Sequence, residues 1–402
     1  MDRRVEAFSG TDKILQVHLG PLICVVGARP NYMKMAPLLR AFQADARLPR
    51  VVLVHTGQHY DFALNDRIFA DLDLPAPDVN LEVGSGSHAV QTAEVMKRFE
   101  PVLLSHAPSC VIVVGDVNST LACTLVAAKL HVPVVHVEAG LRSFDRAMPE
   151  EINRLLTDQI ADLLYTTERS AHANLEREGI APERAHFVGN LMIDSLQAAL
   201  RKAVPPLATL AREGVAADAL AGPAGFGVVT MHRPSNVDDP EHLAALISIL
   251  RQVSARLPLV WPIHPRTRAN IDRLGLADQL LGVRIVCLPP QGYLEMVGLM
   301  SQARLVLTDS GGIQEETTSL GVPCLTMRPN TERPITITQG TNTLVPRDAG
   351  VVLGLVDDIL ANGGKRGRAP EYWDGRTAER IADHLALWLA SRPLAAAGEV
   401  TA

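Results

Sequence analysis

The sequence has few aromatic residues, only 4% of its 402 positions, and it lacks any excess of positive charge. Aromatic platforms that stack on unpaired RNA bases are therefore not expected. The net charge of −6 offers no attraction to nucleic acid or to an acidic membrane surface. No apolar run reaches the length of a membrane-spanning helix. We expect neither a nucleic-acid partner nor a membrane partner.

Cysteine is also sparse, and its spacing does not fit a metal site or a disulfide framework. The five cysteines are odd in number, form no CxxC pair and lie mostly in apolar segments: Cys24, Cys110, Cys123, Cys287 and Cys324. Such residues are typical of buried thiols in a reducing compartment. The first 20 residues contain no continuous hydrophobic region followed by a cleavage site. Both observations favour a cytoplasmic protein.

Several motifs of well-known site chemistry are missing as well. There is no GxxxxGK[ST] loop for ATP, no HExxH pair for zinc and no GxSxG elbow of a serine hydrolase. Residues 84–89 fit a loose GxGxxA pattern, but they follow a Pro/Asp-rich stretch rather than the first strand of a βαβ unit. A dinucleotide site is therefore not expected there, and we predict no metal site.

What the sequence does contain is a long alternation of apolar strands and helical segments. The predicted strands are 22–26, 51–55, 111–115, 132–137, 163–166, 227–231, 259–263, 284–288, 304–308 and 322–327. The length and a hydrophobic content of 47% suggest two cores. We predict an α/β protein of two doubly wound Rossmann-like domains with the active site in the cleft between them. The predicted segments are an N-terminal extension (1–20), a first domain (21–195), a linker region (196–225), a second domain (226–370) and a C-terminal helix and tail (371–402).

Polar residues follow several of these strands, at the edge where open parallel sheets bind ligands. Arg29 and Lys34 come after the first strand, which favours binding of an anion or a carboxylate. Glu138 ends a strongly apolar strand. Because a buried carboxylate costs several kcal/mol unless it is paired or used, we interpret Glu138 as functional. Asp116 also fits a simple helix cap, and Glu150 also fits a residue that favours its helix dipole.

The most informative segment is 305–316, LVLTDSGGIQEE. An apolar strand runs into a polar turn with two glycines, and a helix follows. The first amides of such a helix are unpaired and point partial positive charge outward, which suits a diphosphate. Ser310 can add a hydroxyl donor, and Glu315 or Glu316 can accept hydrogen bonds from sugar hydroxyls.

Two histidines also end strands of the second half. His232 precedes an Arg-Pro pair, and His264 precedes a Pro-Arg pair. We interpret His232 as a ligand contact and His264 as a satisfied core histidine.

Together, these strand-end motifs resemble the non-hydrolysing UDP-N-acetylglucosamine 2-epimerases, which have the GT-B fold. The matching blocks are 27–37, 56–61, 114–125, 136–154, 188–196, 230–234 and 308–334. The resemblance implies interconversion of UDP-GlcNAc and UDP-ManNAc without a redox cofactor. It also implies a route in which UDP is eliminated to give 2-acetamidoglucal and is then added back. Family members are commonly dimeric and act in polysaccharide biosynthesis.

The resemblance assigns roles to individual residues. Asp116, Glu138 and Glu150 match the three essential acids of the family, although it stays open which is base, acid or orienter. His232 matches the histidine near the diphosphate. The other matches are substrate contacts: Arg29 and Lys34 in the first loop, Ser310, Gly311 and Gly312 for phosphate oxygens, Glu316 for the ribose, Arg333 for the sugar or diphosphate, and Gln291 and Tyr293 for the uracil.

The sequence departs from the family at three places. Gln58-His59-Tyr60-Asp61-Phe62 replaces the Gln-His-Arg-Glu-Met segment of allosterically activated bacterial enzymes, and the loop 141–148 is shorter than theirs. Pro234 stands where those enzymes have a second arginine. The first two changes question the allosteric site, and the change at Pro234 questions a neighbouring diphosphate contact. The shorter loop leaves room for a UDP-sugar with a second acetamido group and a uronate. A GT-B glycosyltransferase, a hydrolysing epimerase and a UDP-sugar sensor remain alternatives.

Overall fold

The computed structural model describes residues 20–57 and 68–392, with Arg29 described only in its backbone. Within these ranges the chain forms two β-sheets. The first sheet has the order β3-β2-β1-β4-β5-β6-β7, with β1 Leu22–Val26, β2 Val51–His55, β3 Val79–Asn80, β4 Cys110–Val114, β5 Val134–Ala139, β6 Leu163–Thr166 and β7 Ala185–Phe187. The second has the order β10-β9-β8-β11-β12-β13, with β8 Gly227–Thr230, β9 Leu259–Pro262, β10 Ile285–Leu288, β11 Leu305–Thr308, β12 Cys324–Thr326 and β13 Asn342–Leu344.

Both sheets follow the same winding. All neighbouring strands are parallel, and the chain winds outward from the first strand on both sides. The strand order therefore reverses between β1 and β4 in one sheet and between β8 and β11 in the other. Loops that leave two such strands diverge and open a crevice for a ligand. The prediction of two doubly wound Rossmann-like domains is confirmed.

Helices cover the sheets, and several carry a proline in their first turn, where its missing N–H has no intrahelical partner to lose. The α-helices are Arg29–Ala44, His88–His106, Asn118–Lys129, Pro149–Ile160, Ser170–Arg177, Leu191–Leu200, Pro206–Arg212, Pro234–Val237, Pro240–Ser254, Pro265–Arg273, Tyr293–Ser301, Gly311–Leu320, Pro334–Thr338, Ala349–Asn362 and Thr377–Ser391. Three 3₁₀ helices are Pro182–Arg184, Ala217–Leu220 and Ala277–Leu280. Across the described ranges, no helix is both long and apolar enough to cross a membrane.

The last helix, Thr377–Ser391, crosses back from the second domain to the first. Its Ile381 and Leu385 are fully buried in the same core as Leu22 of β1 and Leu39 of the helix Arg29–Ala44. Burial of a leucine or isoleucine side chain contributes about 1.5–3 kcal/mol. The C-terminal helix is therefore part of the core of the first domain.

The sequence patterns located ten strands with ends that agree within two residues. They missed β3, β7 and β13, which are two or three residues long and each lie at an edge of a sheet. Such short segments show no apolar run, because edge strands bury little surface. The predicted linker region 196–225 starts inside the helix Leu191–Leu200 and contains the helix Pro206–Arg212.

Candidate active site

Side chains from both domains meet between the two sheets. Nη2 of Arg333, from the second domain, lies 3.4 Å from Oε1 of Glu138 in the first. Asn190 of the first domain donates a hydrogen bond of 2.8 Å from Nδ2 to Oε1 of Glu315 in the second. The two domains therefore build one continuous site.

Glu138 is a buried carboxylate at the end of β5. It is 5% exposed and has a positive φ of 75°, next to an irregularity in the pairing of β5 with β6. Nζ of Lys34 lies 2.6 Å from Oε2 of Glu138. Burial raises the pKa of Glu138, but the charges of Lys34 and Arg333 outweigh burial and hold this pKa below its ordinary value. Glu138 is therefore ionised at neutral pH, and its unusual φ turns it toward two cations from different elements.

Arg333 is held among three carboxylates. Its Nη1 lies 2.6 Å from Oε1 of Glu332, and its Nε lies 3.0 Å from Oε2 of Glu315, an ion-pair contact without hydrogen-bond geometry. Burial lowers the pKa of Arg333, but Glu315, Glu332 and Glu138 raise it well above its ordinary value. A Cβ on Gly311 would lie 2.8 Å from Nη1 of Arg333. The guanidinium is thus a fixed positive charge between Glu138 and the helix that starts at Gly311.

The three acids carried over from the family have different surroundings. Oδ2 of Asp116 lies 2.5 Å from Nη1 of Arg154, which also pairs with Glu151 at 2.7 Å. Glu150 is exposed in the first turn of its helix and acts electrostatically on Arg233 of the second domain, whose pKa is lowered mainly by burial. Asp116 and Glu138 both act electrostatically on Arg333. The structure therefore brings Asp116 and Glu138 to one charge network and leaves Glu150 at its rim.

A fully buried network that the sequence reasoning missed lies beneath these acids. Nδ1 of His136 lies 2.6 Å from Oδ1 of Asp158, and Nε2 lies 2.8 Å from the carbonyl oxygen of Gly115. Burial raises the pKa of Asp158, but His136 and Arg142, whose Nη2 lies 2.7 Å from Oδ2 of Asp158, together lower it below its ordinary value. Because Gly115 directly precedes Asp116, and His136 lies two residues before Glu138, this network fixes both acid-bearing strand ends.

A cavity of about 440 Å³ opens on the side of the second domain. Ser310 is the N-cap of the helix Gly311–Leu320, and no side chain among the described residues caps that helix end. The first amides of the helix therefore suit an anion. The volume is that of a small-molecule site. Six predicted site residues line the cavity, namely His232, Gln291, Tyr293, Ser310, Gly312 and Glu316, whereas Lys34, Asp116, Glu138, Glu150, Gly311 and Arg333 do not.

The two consecutive glutamates of this helix face different partners. Glu316 lines the cavity and accepts a hydrogen bond of 3.0 Å from the hydroxyl of Tyr293. Burial raises the pKa of Glu316 to about 8, and the Tyr293 hydroxyl offsets this only in part. Glu315 faces Arg333 instead, and burial also raises its pKa. The structure thus separates the two residues that the sequence pattern left as alternatives.

His232 is fixed at the cavity wall by Asp309. This carboxylate is fully buried and accepts hydrogen bonds from the backbone N–H of His232 at 3.1 Å and of Arg233 at 2.9 Å. Oδ1 of Asp309 lies 3.2 Å from Nδ1 of His232. His264 is exposed and also lines the cavity, with its ring centre 5.5 Å from that of His232. The interpretation of His264 as a core histidine was wrong, because β9 ends at Pro262 and His264 already begins the turn into the next helix.

Two of the predicted features lie in parts of the chain that the structure does not describe. The side chain of Arg29 and the segment Gln58–Phe62 lie outside the described residues. Among the described residues, no group of three or more His, Cys, Asp and Glu side chains is suited to hold a metal ion.

The fold and site define a two-domain protein of GT-B architecture with a nucleotide-sized cavity beside buried acids. A family model described as UDP-N-acetylglucosamine 2-epimerase matches residues 40–386. The chain belongs to the UDP-N-acetylglucosamine 2-epimerase family.

Individual relatives cover nearly the whole chain. A UDP-2,3-diacetamido-2,3-dideoxy-D-glucuronate 2-epimerase of Pseudomonas aeruginosa is 40% identical over 91% of this chain and 99% of its own length. A UDP-N-acetylglucosamine 2-epimerase of Methanocaldococcus jannaschii is 39% identical over 90% of this chain and 97% of its own. The crystal structure of the Methanocaldococcus jannaschii enzyme with UDP-GlcNAc and UDP covers 91% of this chain and 99% of its own at 38% identity and a TM-score of 0.82. The Neisseria meningitidis enzyme bound to UDP-GlcNAc covers 91% of this chain and 99% of its own at 28% identity and a TM-score of 0.80.

Proposed function

We propose that this chain interconverts UDP-GlcNAc and UDP-ManNAc by inverting C2 of the sugar, without a redox cofactor. The observation that carries the proposal is Glu138, a buried carboxylate kept ionised by Lys34 and Arg333, and Arg333 in turn lies against the helix Gly311–Leu320 that lines the cavity. A C2 proton beside an acetamido group is only weakly acidic. Its removal therefore needs an ionised base together with fixed positive charge near the leaving group.

The proposed reaction is an elimination followed by an addition. A carboxylate takes the C2 proton, the C–H electron pair forms the C1–C2 double bond, and the C1–O bond breaks with its electrons leaving on UDP. A second acid then delivers a proton to the opposite face of C2, where the electron pair of the C1–C2 double bond forms the new C–H bond, while a diphosphate oxygen attacks C1. Exchange with water restores the starting protonation of both acids, and no electrons are gained or lost overall. Because two faces need two proton carriers, we assign Glu138 to one and Asp116 to the other, with Glu150 as an orienting acid at the rim.

The cavity side supplies the nucleotide contacts in this proposal. The open amides of the helix Gly311–Leu320 favour a diphosphate, and His232 and Arg333 favour charge that develops on departing UDP. The proposed contacts are Arg29 and Lys34 in the first loop, Ser310, Gly311 and Gly312 for phosphate oxygens, Glu316 for the ribose hydroxyls, and Gln291 and Tyr293 for the uracil.

A second substrate is favoured by one specific observation. The Pseudomonas aeruginosa relative, 40% identical over 99% of its length, is a 2-epimerase of a UDP-diacetamido-glucuronate. The same elimination and addition at C2 applies to that sugar. We include it as the alternative substrate of the same site.

The test is proton NMR of purified protein in D2O with UDP-GlcNAc and, in parallel, UDP-2,3-diacetamido-glucuronate, without acceptor or added cofactor. The 2-epimer carrying deuterium at C2 is the expected product of the true substrate. Free ManNAc with UDP would instead indicate a hydrolysing enzyme. If both sugars stay intact and unexchanged, the proposed function is wrong.

The location, the oligomeric state and the pathway of the enzyme are also part of the proposed function. We propose a cytoplasmic homodimer in polysaccharide biosynthesis, with domains at 21–195 and 226–370. Sedimentation equilibrium of the purified chain tests the dimer, for which a mass of twice 43.4 kDa is expected.

A further inference from the structure

Glu315 is a buried acid that the proposed chemistry does not use. It is 2% exposed and lies in the seam between the domains. Its Oε1 accepts the hydrogen bond from Asn190 of the first domain, and its Oε2 lies 3.0 Å from Nε of Arg333. A buried carboxylate destabilises the folded state unless it is paired. These two contacts pair the carboxylate of Glu315 and so offset the free energy lost on its burial.

The orientation of the Asn190 amide is itself fixed. Asn190 is fully buried and is the N-cap of the helix Leu191–Leu200, where its Oδ1 accepts the backbone N–H of Met192 at 2.9 Å. Because the cap uses the amide oxygen, the amide nitrogen is the group that faces Glu315. The first domain thus presents a rigid donor to a carboxylate of the second.

The contact between Glu315 and Arg333 affects how close Arg333 lies to Glu138. Of the three carboxylate contacts of Arg333, the one to Glu138 is the longest, at 3.4 Å against 3.0 Å to Glu315 and 2.6 Å to Glu332. An arginine free to turn would close on a neighbouring carboxylate and form a bidentate pair. A closed pair would occupy both the base and the cation that a departing diphosphate needs.

We propose that Glu315 is a positioning residue which, anchored by Asn190, holds Arg333 off Glu138. Arg333 then stays available to the diphosphate and Glu138 to the C2 proton. This inference rests on the proposed function. It also means that the hydrogen bond between the domains contributes to catalysis, because it sets a distance inside the charge network.

The test combines Glu315→Gln, Asn190→Ser and the double variant. Gln keeps an acceptor for Asn190 but loses the charge that holds Arg333, whereas Ser keeps the N-cap and loses the reach to Glu315. We expect kcat to fall about 100-fold in E315Q and about tenfold in N190S, with KM and the Kd for UDP within about threefold of wild type. The double variant should be no slower than E315Q, because Asn190 acts through Glu315.

Asp194→Asn is the matched control. Asp194 is a buried acid on the same helix as Asn190, but it accepts the backbone N–H of Ala378 and lies outside the charge network. D194N should lower Tm without a tenfold loss of kcat. An E315Q enzyme with kcat within threefold of wild type, or losses that multiply in the double variant, would overturn the inference.

A crystal structure of E315Q separates this inference from the proposed function. We expect the long hydrogen bond from Nη2 of Arg333 to Oε1 of Glu138 to shorten from 3.4 Å to about 2.8 Å. An unchanged distance overturns the positioning role of Glu315. This outcome is independent of the proposed function, which is refuted if the wild type leaves both sugars intact.

Discussion

Glu138 and Glu316 are glutamates buried to a similar extent on the two sides of the cleft, 5% and 3% exposed, yet their carboxyl groups are perturbed in opposite directions. The pKa of Glu138 is held below its ordinary value, whereas that of Glu316 is raised to about 8. Burial acts in the same sense on both. The difference comes from neighbours: Glu138 has Lys34 at 2.6 Å and Arg333 at 3.4 Å, and Glu316 has a tyrosine hydroxyl and the acidic Glu315.

The comparison teaches that each side of the cleft is prepared for a different task. The first-domain side keeps a charged carboxylate fixed between two cations, which is the state that the proposed base needs if the reaction is to require little reorganisation. The second-domain side keeps a carboxyl that holds its proton through neutral pH when no ligand is bound.

Replacing Glu138 by Gln should remove the base while keeping its shape. We expect kcat to fall by about 10³–10⁴-fold, the upper range for loss of an acid–base group, with the Kd for UDP within about threefold. Deuterium exchange at C2 and calorimetric UDP titration measure the two quantities. Undiminished exchange in E138Q would show that Glu138 is not the base.

Replacing Lys34 by Met should leave Glu138 with one of its two cations. Removing one partner of a buried ion pair costs about 3–5 kcal/mol of unfolding free energy. Urea unfolding at pH 7 measures this loss, and the loss should shrink toward pH 4 as Glu138 takes up a proton. A loss below about 1 kcal/mol would mean that Lys34 does not hold the pKa of Glu138 down.

Replacing Glu316 by Gln should change how stability depends on pH. The folded-state pKa of about 8 lies above the ordinary 4.5, so between these values the folded protein binds more protons than the unfolded chain. This residue therefore makes wild-type stability fall as pH rises through that window, by roughly 1.4 kcal/mol per pH unit at most. The pH range over which ionisation of Glu138 changes stability lies below 4.5, so it does not overlap with the range of Glu316.

Calorimetric Tm values at pH 5.5, 7 and 8.5 give the measurement. E316Q should gain stability relative to wild type as pH rises, because the uncharged amide has no proton to lose. Parallel Tm curves for the two proteins would contradict the raised pKa of Glu316.

Gly311→Ala should produce the smallest effect, about tenfold in kcat. The new Cβ would lie 2.8 Å from Nη1 of Arg333 and from Oε1 of Glu332, so the arginine must shift away from its place beside Glu138. Gly354→Ala is the reference, because a Cβ on this mid-helix glycine meets nothing within 4 Å. It should stabilise the protein by about 0.5–1 kcal/mol with unchanged turnover. Equal kinetics of G311A and wild type would show that the position of Arg333 is not critical.

Sequence reasoning located ten of the strands and the acids at their ends, because both follow from local patterns. Apolar runs mark buried parallel strands, and a carboxylate at the end of such a run stands out, as Glu138 does. The partners of these acids were not visible. Asp116 pairs with Arg154 of the helix Pro149–Ile160, and His232 pairs with Asp309, the residue that follows β11. Both contacts exist only after the chain has folded.

The pair Glu315 and Glu316 shows the same limit on a smaller scale. Successive helix residues point about 100° apart, so one faces the cavity and the other the seam between domains. The sequence identified both as candidates but contains no signal for which residue lies on which side. That choice depends on where the second domain meets Asn190 of the first.

The return of the helix Thr377–Ser391 to the first domain has a consequence for how the protein is made. A ribosome delivers strands β1 to β7 early, but the core that contains Leu22 and Leu39 is completed only by Ile381 and Leu385. The core of the second domain, in contrast, ends with Ile359 and is finished first. The domain that is synthesised first therefore keeps an open apolar face until the helix Thr377–Ser391 emerges, and exposed apolar surface of this kind makes a nascent chain prone to aggregation.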